Sequence, residues 1–395
     1  MITRRKFIQH SALATASIMV PSVLKAFDAP SPRDFQNGKQ VIIVQLGGGN
    51  DGLNSLVPFR NDIYYKLRPK ISIPASKVLK LNDQLGFHPA LSGLKALYDS
   101  GDLAIVNNVG YPNPVRSHFR SMDIWHTASD ADIVWSEGWL GRFLDICPSC
   151  QEWEVLNMDE TLNLAVRGKK RSGFAVGNIQ KVSNSVSPSY VRSMAHHHDH
   201  DNEVVSYLYS TLSNTISAAD YIYNKSVIYK SKKTYPNTPF GKSCRQVAEL
   251  VTSGASSSVY YLNLNGFDTH YNQVIAQERL LIQLSGGVST MVEELKANNK
   301  FKDTLIMVFS EFGRRVGENG AEGTDHGTAN NVYLISGALK KPGLYNSPPD
   351  LSNLKEGDLQ FQVDFREVYA TILDKWLNVA SSQVLKKSFN PLSII

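Results

Sequence analysis

The chain is poor in cysteine, with 3 among 395 residues. That excludes a disulfide-built scaffold, and a chain this long buries enough apolar surface to need none. Net charge is also scarce. The formal +5 comes almost entirely from Arg4, Arg5, Lys6 and Lys25, in a stretch that contains no acid up to Ala26. The body is near neutral and lacks the clustered Lys and Arg that mark a nucleic-acid-binding face. No continuous apolar run reaches the ~20 residues that span a bilayer. A phosphate-cradling G-x-x-x-x-G-K-[ST] pattern is absent too. What is present, 42% hydrophobic and 10% aromatic residues, belongs to a folded body.

Thr3-Arg4-Arg5-Lys6-Phe7-Ile8, the apolar stretch from Ala12 to Val20 and Pro21 read as an export leader over residues 1–30. The paired arginines before Phe7 resemble a twin-arginine signal. The expectation is a periplasmic or secreted protein, with the twin-arginine translocase as a partner and no stable membrane span. In an oxidising compartment Cys147-Pro148-Ser149-Cys150 can close a local disulfide, leaving Cys244 odd.

Apolar runs at Val41–Leu46, Leu103–Val109, Val259–Leu264, Leu305–Phe309 and Val332–Ile335 predict strands, the first suited to burial on both faces. Helical spacing predicts helices over Pro89–Tyr98, from Ser117 or Ser121 onward, over Trp139–Ile146, Asn202–Lys225, Val274–Ala297 and Phe365–Trp376. Leu162–Val166 and Phe174–Val176 read as short strands. The alternation gives an α/β protein, a mostly parallel sheet with helices on both faces. We read 38–395 as a single domain in which 146–240 is an insertion or cap, since no Gly-, Pro- and Ser-rich linker isolates that stretch.

Three strands end in acidic or imidazole-bearing residues, where an open α/β sheet places its ligands. Gly47-Gly48-Gly49-Asn50-Asp51-Gly52 offers Asp51 as a metal ligand. A nucleotide loop would need a helix opening at Gly52, and Pro58 argues against one. Asp268 and His270 are two apart, so on extended chain both reach one ion. With His326, from Asp325-His326-Gly327, they form a nitrogen and oxygen set suited to zinc. Ser117 lies between Arg116 and His118-Phe119-Arg120 at a loop-to-helix junction, where it is a nucleophile or an ordinary helix cap. His118 and His126 read equally well as packing residues. Glu311 and Arg314 form an ion pair that holds a loop, or belong to the site. His196-His197-His198-Asp199-His200 reads as a solvated loop.

Leu46–Asn54, Gly110–His126, Gly266–His270, Ser310–Arg314 and Asp325–Gly327, with the leader, resemble a bacterial family of exported proteins with a twin-arginine signal and no known function. That family resembles a distant branch of the alkaline phosphatase and sulfatase superfamily. The resemblance implies an alkaline-phosphatase-like sheet, one or two divalent metals, Asp51 as the first-strand ligand, Ser117 as nucleophile, and Asp268, His270 and His326 around one ion. Glu311-Phe312 stands where the superfamily has an Asp-His pair. A second ion held by Asp51 and Glu311 would be all-oxygen and would favour magnesium or calcium. The sulfatase motif of Cys or Ser followed by x-Pro-x-Arg is absent, which disfavours sulfate-ester hydrolysis by the formylglycine route.

The expected function is an exported, metal-dependent hydrolase of phosphate or related anionic esters, acting on a small ester or a glycan. Ser117 attacks, and Arg116, Arg120 and Arg314 neutralise the oxygens. The alternative is a non-catalytic exported binding or assembly protein on the same scaffold, motivated by the missing histidine at Phe312.

Overall fold

Val41, Ile42, Ile43 and Val44 are all fully buried, as an uninterrupted apolar run demands of a strand covered on both faces. They belong to β1 (Gln40–Gly47) at the centre of a nine-stranded sheet. The computed structural model describes residues 38–195 and 203–395. The expected leader and the His196–His200 tract lie outside them.

In chain order the sheet continues with β2 (Leu103–Gly110), β3 (Val155–Asn157), β4 (Phe174–Ala175), β5 (Val259–Asn265), β6 (Thr304–Phe309), β7 (Asn330–Ile335), β8 (Gly343–Leu344) and β9 (Val363–Asp364). Spatially the order is β8-β2-β7-β6-β1-β5-β3-β4, with β9 also on β2. β1 pairs in parallel with β5 and β6, whereas β7 runs antiparallel to both β2 and β6. A small second sheet joins Leu56–Val57, Gly86–Phe87 and Leu79–Lys80.

Alternate side chains of β1 feed two cores. Val41 and Ile43 pack with Trp125, Trp139 and Phe365, from helices α2 (His118–Thr127), α3 (Trp139–Asp145) and α7 (Phe365–Thr371). Ile42 and Val44 pack with Leu94, Val247 and Leu284, from α1 (Ser92–Asp99), α5 (Pro239–Thr252) and α6 (Gln273–Ala297). Burying each such side chain contributes roughly 1.5–3 kcal/mol. Helices therefore cover both faces, and the fold class is the expected α/β. Among the described residues no helix is long and apolar enough to cross a membrane.

The middle stretch contributes strands β3 and β4 to one edge of the sheet and the long helix α4 (Glu203–Ile228). Its expected strand at Leu162–Val166 is instead a 3-10 turn, Leu164–Val166. The turn lies directly on glycines: a Cβ at Gly138 would be 2.0 Å from the Leu164 carbonyl oxygen. It is pressed against the start of α3, not laid along the sheet. Cys147 and Cys150 form a disulfide, and Cys244 is free and buried.

Candidate metal centre

Strand direction assembles the site. The carboxyl ends of parallel β1, β5 and β6 lie on one edge, and antiparallel β7 begins there, so the residues just before it arrive at the same place. β2 ends beside β7's start and leads through Arg116 and Ser117 into α2. Close approach needs glycine: Gly48 (φ +114) has no room for a Cβ, which would lie 2.4 Å from the Asp268 nitrogen.

Three imidazoles and one carboxylate converge at this edge. Asp268 Oδ1 lies 3.2 Å from His118 Nε2, 3.0 Å from His270 Nε2 and 3.3 Å from His326 Nε2. His270 and His326 bring their Nε2 atoms within 2.9 Å of each other. Each ring is held by its other nitrogen. Glu311 is 2.9 Å from His118 Nδ1, Asp325 is 3.1 Å from His270 Nδ1, and the Arg116 carbonyl is 2.7 Å from His326 Nδ1. All three partners only accept, so all three Nδ1 atoms carry the proton and donate it. In the neutral rings the Nε2 atoms therefore present bare lone pairs; those of His118 and His326 gather with an Asp268 oxygen within 4.8 Å of one another, and His270 Nε2 adjoins the group beside Asp268 and the Arg314 guanidinium.

The donor set fits a divalent cation. His118 Nε2 is buried with no hydrogen-bond partner although Asp268 Oδ1 is 3.2 Å away, since with the proton on Nδ1 both atoms are acceptors. Around an ion with bonds of ~2.0–2.1 Å, tetrahedral donors lie roughly 3.3 Å apart, close to the spacings found here. Carboxylate or carbonyl groups behind each histidine are the usual supports of metal-binding imidazoles. The hydrogen bond to Glu311 raises the pKa of His118 above its ordinary value, and burial lowers that of His326. Burial works to raise the Asp268 carboxyl, but the adjacent Arg314 guanidinium and His118 outweigh it and hold it well below the usual range. Asp268 stays anionic, with its side chain half exposed to solvent.

His118 is the member that residue-by-residue reading missed. Its signal was position: a histidine in the first turn of the helix that follows a sheet strand and its loop.

The other expected residues are placed as follows. Asp51 is engaged by other partners. Its Oδ2 pairs with Arg68 at 2.6 Å and accepts from Gln273 at 2.5 Å, while Oδ1 caps the single turn Gly52–Ser55 through the Leu53 and Asn54 amides. A helical turn does open at Gly52, but this carboxylate occupies the donors a phosphate would need. Glu311 is fully buried and sits behind His118, also accepting from the Gly48 amide at 2.9 Å.

Arg314, equally buried, ties the loops together by donating to the carbonyls of Gly48, Gly49, Phe267 and Thr324 and to Asp268. Arg120 is turned toward the carbonyls of Asp130, Ala131 and Ile133. Arg116 pairs with Glu356 and Asp358. The expected three-arginine clamp is not assembled: Arg116 and Arg120 are taken by acceptors away from the centre, and Arg314 alone reaches it, through Asp268. Ser117 is exposed, caps α2 without a side-chain hydrogen bond, and lies between two residues that touch the centre.

Residues 38–387 match the family described as Protein of unknown function (DUF1501). The chain belongs to that family. The described edge motifs of this DUF1501 member all fall inside the matched span. Among solved structures it is similar to the lipoteichoic acid synthase LtaP from Listeria monocytogenes, at 9% identity and TM-score 0.37, covering 81% of this chain and 71% of that one. It is similar to the phosphonate monoester hydrolase SpPMH from Silicibacter pomeroyi at 9% identity and TM-score 0.44, covering 89% and 77%. A third is the PsFucS1 sulfatase from Pseudoalteromonas sp., at 10% identity and TM-score 0.39, covering 90% and 70%. No curated protein matches.

Proposed function

We propose that this DUF1501 member is an exported hydrolase of phosphate or related anionic esters that holds one divalent ion at His118, His270, His326 and Asp268. The observation that supports it most is the convergence of three Nε2 atoms whose Nδ1 partners are all acceptors. Such a nitrogen-rich set suits zinc or a similar ion better than magnesium or calcium. One ion, not two, follows from Asp51, whose lone pairs are filled by Arg68, Gln273 and backbone amides.

A divalent ion supplies Lewis-acid polarisation of the ester and stabilises its developing negative charge. The chain's own residues do the rest. Ser117 presents a hydroxyl free of capping bonds at the N-terminus of α2, where the helix dipole favours negative charge on an attacking oxygen. Glu311, Asp325 and the Arg116 carbonyl fix ring tautomer and direction. Arg314 positions Asp268 instead of gripping substrate. The resemblance to the alkaline phosphatase and sulfatase superfamily and the disulfide, which suits an oxidising compartment, agree with this reading.

Metal analysis and turnover of p-nitrophenyl phosphate test it, on untagged full-length protein and in parallel on protein lacking His196–His200. One ion per chain is expected, kept in Ser117→Ala while turnover falls by several orders of magnitude. Metal-free protein with the same trace activity as Ser117→Ala would falsify the reading. A loaded chain that turns over no ester is the binding protein on the same scaffold.

A further inference from the structure

A cavity of about 310 Å³ opens beside the centre, and Arg116, Phe312, Asp358 and Phe361 stand in its wall. Phe312 separates the two spaces. Its ring lies 4.8 Å from that of His118 and 5.0 Å from that of His326, and it lines the cavity as well. Arg116 bridges them likewise, with its carbonyl on His326 and its side chain in the cavity wall. None of the three histidines lines the cavity, so a molecule whose ester lies at them reaches it only past the Phe312 ring.

Wall chemistry selects that remainder. The cations Arg116 and Lys355 are balanced by Glu356 and Asp358, and Arg116 is paired with both acids, so a second phosphate finds no unneutralised guanidinium. The volume sits at the small end of ligand cavities, which start at ~300 Å³, and admits a small occupant. Asp358 is the decisive group. Its side chain is 2% exposed, and Oδ1 is buried with no hydrogen-bond partner. A carboxylate oxygen only accepts, so it calls for an O–H or N–H donor, which an alkyl group lacks. Phe312, Leu359 and Phe361, with Phe361 at 37% exposure, supply apolar surface alongside it.

We propose that this cavity is the subsite for a hydroxyl-rich ring, a sugar or cyclic polyol, on the alcohol side of the ester. A ring hydroxyl donates to the Asp358 carboxylate, whose Oδ1 is buried in the unliganded chain and turns toward the cavity to accept it, and the C–H faces of the ring lie against Phe312 and Phe361. The placement of the ester end rests on the hydrolase reading, so the test is one of binding and not of turnover.

Saturation-transfer NMR on the full chain, with methyl hexopyranosides and with hexanol, distinguishes the occupants. Transfer to a hexoside is expected, lost in Phe361→Trp, which fills the space, and reduced at least threefold in Asp358→Asn. Transfer to hexanol alone, to neither probe, or to a hexoside undiminished in both variants overturns the proposal. Hexoside binding in a chain that hydrolyses no ester leaves this subsite standing and removes the hydrolase.

Discussion

Asp51 and Asp268 follow neighbouring strands of one sheet, and each meets an arginine, yet their surroundings differ completely. The Asp51–Arg68 pair is 0% exposed on both sides and every lone pair is filled, while Asp268 is 48% exposed and faces three ring nitrogens. The first arrangement is closed and holds the loop after β1. The second is open to solvent and leaves donor atoms aimed at one point. A carboxylate at a strand end becomes part of a site only when its neighbours leave it something to bind.

The sharpest way to break this contrast is Arg68→Ala, which strands a buried charge. We expect a loss of about 3–5 kcal/mol in denaturant unfolding, with metal content of the folded fraction unchanged. A loss of metal would join the two regions into one site.

The two ends of α2 repeat the contrast. His118 in the first turn meets the centre, whereas His126 in the last is buried and bonds Gln45 through Nε2 at 2.8 Å. Burial pushes His126 down to about 4, against ~6.5 in an unfolded chain. Between those values the unfolded chain binds the extra proton, so this contribution is full above pH ~6.5 and is lost as pH falls through about 4. The expected loss is on the order of 3 kcal/mol by urea unfolding across that window. His126→Phe should flatten the pH dependence, and an unchanged slope would place the acid sensitivity elsewhere.

Glu311→Gln sharpens the open side, since it weakens the acceptor behind His118 without moving a ligand. Metal affinity should fall about 10–100-fold in competition with a chelator. Affinity equal to wild type would make Glu311 a loop residue only. The smallest effect belongs to Phe119→Ser beside the centre: at 82% exposure, the change should stay within about 0.5 kcal/mol in thermal unfolding.

Much of the fold was legible because its signals are local. Continuous apolar runs marked β1, β5 and β6, and helical spacing marked α1, α2 and α6. Leu162–Val166 misled because an apolar run reads alike in a strand and in a turn packed on glycine. At the edge, Asp268 and His270 were singled out by their spacing after a strand and His326 by its loop, and the three side chains adjoin. Asp51 was not, because its partner Arg68 is recognised only once the chain between them folds back.

The sequence by itself determined the alternation of strand and helix, the edge where polar loops gather, and the chemical types available there. Tertiary structure decided which of them meet. The antiparallel run of β7 delivers His326, the turn into α2 delivers His118, and Arg68 takes Asp51 out of reach. Periodicity is written in neighbouring residues, whereas convergence depends on strand order and direction across the sheet, which no local pattern encodes.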